Sequence, residues 1–130
     1  MSGIVFYDGR CALCHQSVRW MIRADRAGAF RFAPLGGETF RNMVGNRVEL
    51  PDSLVLLEDC GALFVRSEAV LRVFETVGGW HTLARAVRTI PRPVRDSVYR
   101  AVARTRFRLF GPARDACPRV PPELRSRLLP

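Results

Sequence analysis

With 130 residues, 48% of them hydrophobic, the chain has the length of one domain and enough apolar material for a core without disulfide staples. No run of about 18 apolar residues occurs, so no membrane-spanning helix is expected. The formal charge is +9 and all 21 basic residues are arginine, which gives some affinity for acidic surfaces or nucleic acid, although a GC-rich genome is the preferred reason for a lysine-free chain.

Met1 to Asp8 has no basic start, no long apolar stretch and no cleavage pattern. It reads as the first strand of a mature fold without an export signal, and a cytoplasmic location is expected. Within it, Ile4 to Tyr7 is a short β-leaning run that stops at the turn pair Asp8-Gly9. From Cys11 to about Arg26 the residues suit a helix, with Cys14, Val18, Met21, Ile22 and Asp25 at three- and four-residue spacing and Gly28 closing it. Phe30 to Pro34 alternates as a short strand does. The stretch from Gly36 to Gly45 is a modest helix with Phe40 and Met43-Val44 as its apolar positions.

Pro51-Asp52 leads into the apolar strand Ser53 to Leu57, and Glu58-Asp59-Cys60-Gly61 is a hairpin turn returning through Ala62 to Arg66. Ser67 is expected as the N-cap of the next helix, with Glu68 suiting its dipole. That helix carries Val70, Leu71, Phe74 and Val77 and ends at Gly78-Gly79. The order β-α-β-α-β-β-α predicts an α/β, thioredoxin-like core with one parallel βαβ unit and a final hairpin, and a ferredoxin-like α+β arrangement shares the same element order. Residues 1–79 are expected to form that core. Residues 80–130 are expected as a helical, Arg-rich extension packed on the same domain, with a short helix at Leu83 to Val87, a longer one from Val94 to Phe110, and a proline-rich tail wrapping the surface.

The most informative stretch is Asp8-Gly9-Arg10-Cys11-Ala12-Leu13-Cys14, lying between a strand and a helix. Two cysteines three apart at a helix start can bring their sulfurs together. The first lies near unbonded backbone N–H groups and the positive end of the dipole, which stabilise a thiolate, the attacking species. Cys11 is therefore expected as nucleophile and Cys14, further into the helix, as resolving thiol. Asp8 is expected to accept the proton of Cys14, since burial raises the proton affinity of a carboxylate, and it can equally form an Asx turn with Gly9. Arg10 adds positive charge beside the thiols. Pro51, just before the third strand, stands where such sites usually carry a cis-proline, although an ordinary trans-proline is favoured by frequency.

The sequence resembles the DCC family of thiol–disulfide oxidoreductases, named for the residues seen here as Asp8, Cys11 and Cys14. The resemblance continues through Phe30 to Leu35, Ser53 to Leu56, Ser67 to Val70, Gly78-Gly79, Ile90-Pro91, Arg95-Asp96 and Phe110-Gly111, so it covers nearly the whole chain. It implies a thioredoxin-like fold and disulfide exchange, and it implies no physiological partner. Thr105 and Leu109 depart from the family pattern, which more often has Asn and Trp there, and Cys60 replaces an acidic or polar residue.

Three other readings compete. Cys11 to His15 is formally a c-type haem attachment motif, with His15 as axial ligand. A zinc site would need Cys60, Cys117, His15 and His81 to converge on the close pair. The last helix, with Arg92, Arg95, Arg100, Arg104, Arg106 and Arg108 around Tyr99 and Phe107, could bind RNA, single strands or another anionic surface, with the cysteine pair structural or zinc-binding. Against that last reading, Val94, Val98, Ala101, Val102 and Leu109 are expected to dock on the core and leave the arginines in solvent. The preferred expectation is a thiol–disulfide oxidoreductase with no metal or organic cofactor. Its partner is a protein or low-molecular-weight thiol carrying a disulfide or dithiol.

Overall fold

The computed structural model describes residues 2–45, 54–77, 81–112 and 121–130. Four strands, β1 (Gly3–Tyr7), β2 (Phe30–Pro34), β3 (Val55–Glu58) and β4 (Leu63–Val65), form one mixed sheet in the order β2-β1-β3-β4. β1 and β2 are parallel with Val5 opposite Phe32, whereas β3 runs antiparallel to both β1 and β4. Between these strands lie α1 (Ala12–Ala24) and α2 (Glu38–Met43), and after them come α3 (Arg66–Thr76), α4 (His81–Arg88) and α5 (Arg92–Phe110). This mixed α/β architecture, with its parallel βαβ unit and closing hairpin, is compatible with a thioredoxin-like fold.

The period-two alternation of each strand sorts the core onto the two sheet faces. Val5, Tyr7, Phe30, Phe32 and Leu56 meet Val18, Met21 and Ile22 of α1 and Ala69 and Val73 of α3. The opposite residues, Phe6, Ala33, Val55 and Leu57, pack with Val44 and Phe40 around α2. Because β1 is central and covered on both faces, Val5, Phe6 and Tyr7 are all buried. Both strands and helices therefore follow from the hydrophobic pattern, and β1 delivers its C-terminal end into the middle of the molecule.

Two local expectations change. Ser67 does not cap α3, since Val65 occupies the N-cap and Arg66 takes a positive φ of 55° while its N–H reaches Leu54 O at 3.1 Å. Ser67 is instead buried and donates its hydroxyl to Asp96 Oδ1 on α5, a tertiary bond that outweighs local capping.

The second change concerns α5. Its inward positions are Arg95, Asp96, Tyr99 and Ala103, whereas Val94, Val98 and Val102 are 52%, 60% and 47% exposed, and Leu109 is 71% exposed. Ala101 is exposed as well. Polar tertiary partners hold the inward face: Arg95 faces Glu68 at 3.5 Å, Asp96 receives Ser67, and Tyr99 Oη accepts the Leu54 N–H at 2.8 Å. Periodicity showed that α5 has an apolar stripe, and the structure turns that stripe outward.

The tail returns to the sheet. A 3-10 helix, Pro122–Arg127, leads to Leu128, which bridges Phe32 in parallel, and the Leu129 N–H bonds Phe32 O at 2.7 Å on the free edge of β2.

Candidate active site

β1 ends at Tyr7, and the chain turns through Asp8, Gly9 and Arg10 before Cys11 takes an extended conformation at the N-cap of α1. Asp8 is buried, and its Oδ1 accepts the Arg10 N–H at 2.9 Å. That is the Asx turn expected of this residue. The Arg10 guanidinium lies 3.5 Å from the same oxygen, yet its side chain is 77% exposed, so solvent screens this pair. The Cys11 N–H reaches Asp8 O at 3.3 Å.

His15 secures the turn from the helix side. Its Nε2 lies 2.7 Å from Gly9 O, and because a carbonyl only accepts, this nitrogen carries the proton and donates. The ring is buried and packs edge-on against Tyr7, with centroids 6.0 Å apart. The haem reading thereby meets an imidazole whose Nε2 is already committed to the backbone. Among the described residues, no three His, Cys, Asp or Glu side chains gather into a metal-binding group. Cys60 is exposed in the β3–β4 turn, with Sγ 3.6 Å from Glu58 Oε2. Cys117 and Pro51 lie outside the described residues.

The two helix-start thiols have different surroundings. Cys11 is fully buried, and the segment that follows α5 runs against its backbone. Pro112 forms an antiparallel bridge with Cys11, and the Ala12 N–H bonds Gly111 O at 3.3 Å. Gly111 makes this return possible with a φ of +73°, a conformation costly to residues bearing a Cβ. Cys14, one turn further along α1, is half-buried and lines a cleft of about 470 Å³ between α1, α3 and α5. Trp20, Leu54, Phe74 and Tyr99 contribute to its mostly apolar wall, and Asp8 lies along the same wall as Cys14. The Trp20 and Phe74 rings pack at 5.2 Å.

Asp8, Arg10, Cys11 and Cys14 are therefore assembled within one strand-to-helix turn. Cys14 faces the cleft, whereas Cys11, the expected nucleophile, is buried. Sequence reasoning did not anticipate Gly111, Pro112 and Tyr99 as site neighbours. Gly111 was legible as a helix terminator, but no local rule says that the chain leaving α5 returns to Cys11.

The fold and the site are those of a mixed α/β protein carrying a CxxC pair at a strand-to-helix turn. The chain belongs to the DCC1-like thiol-disulfide oxidoreductase family, whose model matches residues 5–112. It is 32% identical over 130 residues to YuxK, an uncharacterized protein of Bacillus subtilis, covering 98% of this chain and 93% of that one. It is 31% identical over 117 residues to a chloroplastic DCC family protein of Arabidopsis thaliana, covering 88% of this chain and 67% of that protein. No solved structure matches the chain. Family membership supports thiol–disulfide oxidoreductase chemistry in the general sense.

Proposed function

We propose that this protein exchanges disulfides with a protein or low-molecular-weight thiol partner by cycling Cys11 and Cys14 between dithiol and disulfide. The observation that carries this reading is the placement of Cys11 at the N-cap of α1 and of Cys14 one turn on, lining the same cleft as the buried Asp8. Residues three apart on a helix are neighbours, which puts the two sulfurs within reach of a bond.

In the proposed cycle the Cys11 thiolate attacks one sulfur of the partner disulfide. The partner's S–S bond breaks, a Cys11–partner S–S bond forms, and the other partner sulfur leaves as a thiolate. Cys14 then transfers its proton to Asp8 and attacks the Cys11 sulfur, which breaks the mixed disulfide and releases the second partner thiolate. Asp8 delivers its proton to a departing thiolate. Two electrons pass from the chain to the partner, and the reverse sequence oxidises a dithiol. Because Cys11 is buried, the first step requires its surroundings to open.

A second reading has Cys14 attack first, favoured by its position on the cleft. Single-cysteine trapping separates the two. With an immobilised disulfide such as oxidised insulin, Cys14→Ser is expected to accumulate a mixed disulfide through Cys11, and Cys11→Ser to accumulate none. Trapping only through Cys14 reverses the roles. Trapping by neither variant, in a wild-type protein that forms no Cys11–Cys14 disulfide on oxidation, removes the exchange reading.

A further inference from the structure

The exposed side of α5 is divided lengthwise into two rows. Val94, Val98 and Val102 recur every four residues with Leu109 continuing their line, and all four are about half exposed or more. Arg100, Arg104 and Arg108 recur every four residues along the adjoining line, all exposed. The third side, Arg95, Asp96, Tyr99 and Ala103, is the side that packs on the rest of the fold. Ile90, just before the helix, is a further exposed aliphatic residue.

From this arrangement we infer that α5 seats the protein on an anionic phospholipid surface, with the valine row in the interfacial layer and the arginine row on lipid phosphates. An interfacial helix combines an aliphatic stripe with an arginine-rich flank in this manner. The 19 residues of α5 span about 28 Å at ~1.5 Å per residue, long enough to lie along a bilayer, and no described helix is apolar enough to cross one. Charge complementarity is general as well as local, since the chain carries +9.

Two features favour a lipid surface over a macromolecular partner. The exposed apolar residues of the row are aliphatic, without the aromatic anchors that dominate protein hot spots, and a fluid surface conforms to a helix without a matching groove. Nucleic acid would engage the arginines but leave the valines and Leu109 in water. Val102 belongs both to the row and to the wall of the Cys14 cleft, so the seated protein holds that cleft beside the lipid.

The test is co-sedimentation of the full chain with vesicles of phosphatidylcholine alone or of equimolar phosphatidylcholine and phosphatidylglycerol. Binding to the anionic vesicles is expected to exceed binding to the neutral ones by about tenfold or more. Val98→Glu and Leu109→Glu, which sit outside the thiol cleft and are solvent-exposed, are expected to abolish it without changing the thermal unfolding midpoint. The conservative Val98→Leu is expected to retain it. No binding to either vesicle overturns the inference. Undiminished binding of the glutamate variants, removed merely by salt, also overturns it, because charge alone would then account for adhesion. A concentration-dependent dimer broken by Val98→Glu, in protein that ignores vesicles, assigns the row to a second copy of the chain and overturns it too.

Discussion

Asp8 carries two roles that a single atom change can separate. Its Oδ1 holds the Arg10 N–H in an Asx turn, while its carboxylate borders the cleft that contains Cys14. Asparagine keeps a carbonyl oxygen for the turn but cannot take a proton. Asp8→Asn is therefore expected to leave the melting temperature nearly unchanged while slowing release of the mixed disulfide by about a hundredfold, the lower end of what a general base contributes. Asp8→Ala is expected to lose both the turn and the rate. Stopped-flow reduction of a fluorogenic disulfide, set beside thermal melts, distinguishes them; equal rates for wild type and Asp8→Asn would confine Asp8 to the turn. The two cysteines, Asp8 and Arg10 could be picked out at this scale because they fall within seven consecutive positions. The burial of Cys11 could not, and the Pro112 that bridges it lies about a hundred residues away in sequence.

At the scale of elements, the Cys11–Pro112 bridge and the α3–α4–α5 ion network each make a prediction. Gly111 sits at φ +73° with nothing within 4 Å of an added Cβ, so Gly111→Ala meets backbone strain and no clash. The strain, about 1–2 kcal/mol for a left-handed non-glycine residue, falls on the segment that bridges Cys11. Iodoacetamide labelling of Cys11, followed by peptide mass spectrometry, is expected to accelerate severalfold in the variant, with Cys14 labelling unaltered.

The ion network centres on Glu68, whose oxygens lie 3.3 Å from Arg72 Nε, 3.1 Å from Arg88 Nη1 and 3.5 Å from Arg95 Nη1. Among the described residues, Nε and Nη1 of Arg95 have no hydrogen-bond partner, so the negative charge of Glu68 is what compensates its burial. Burial pushes the Glu68 carboxyl up, but the hydrogen bonds and charges of Arg88 and Arg72 together outweigh that and hold it below 4.5. A carboxyl depressed in the folded state stabilises the fold above its unfolded value and loses that contribution as pH falls through its folded one. Glu68→Gln is accordingly expected to cost about 1–2 kcal/mol at pH 7, as for a charged hydrogen bond, and progressively less below pH 4.5 as the wild-type carboxyl takes its own proton. Urea unfolding at both ends of that range measures it. Glu68 looked from sequence like a first-turn helix residue, and it does lie in the first turn of α3. Its partners on α4 and α5 became visible only with tertiary contacts.

Across the whole molecule, element order, the parallel β1–β2 pair and the β3–β4 hairpin were legible because β1, β2 and β3 are short apolar runs bounded by Gly, Pro and Asp, and because Val18, Met21 and Ile22 repeat at helical spacing. The outward stripe of α5 was misplaced for the complementary reason: periodicity locates an apolar face and says nothing of what it meets. The proline-rich tail carried still less signal, and there the fold depends on one arginine. Arg127 donates from Nε to Phe30 O at 3.1 Å, from Nη1 to Ile22 O at 3.2 Å, and from Nη2 to the carboxylate of Asp25. Asp25 is buried at the C-cap of α1, and its oxygens also accept the Ala29 and Phe30 N–H groups at 3.0 and 2.8 Å. The tail thus fastens the α1–β2 corner from the opposite end of the chain. Arg127→Ala would leave the Asp25 charge buried with its two backbone donors alone, where breaking a buried pair costs up to ~3–5 kcal/mol. Since those donors remain, a loss of about 2–3 kcal/mol is expected, lowering the midpoint of thermal unfolding by roughly 10 °C for a chain of this size. Asp25→Asn in the Arg127→Ala background removes the stranded charge and is expected to recover part of the loss. A double-mutant cycle by urea unfolding decides the matter, because independent, additive losses would mean that the tail merely rests on the sheet and does not hold it.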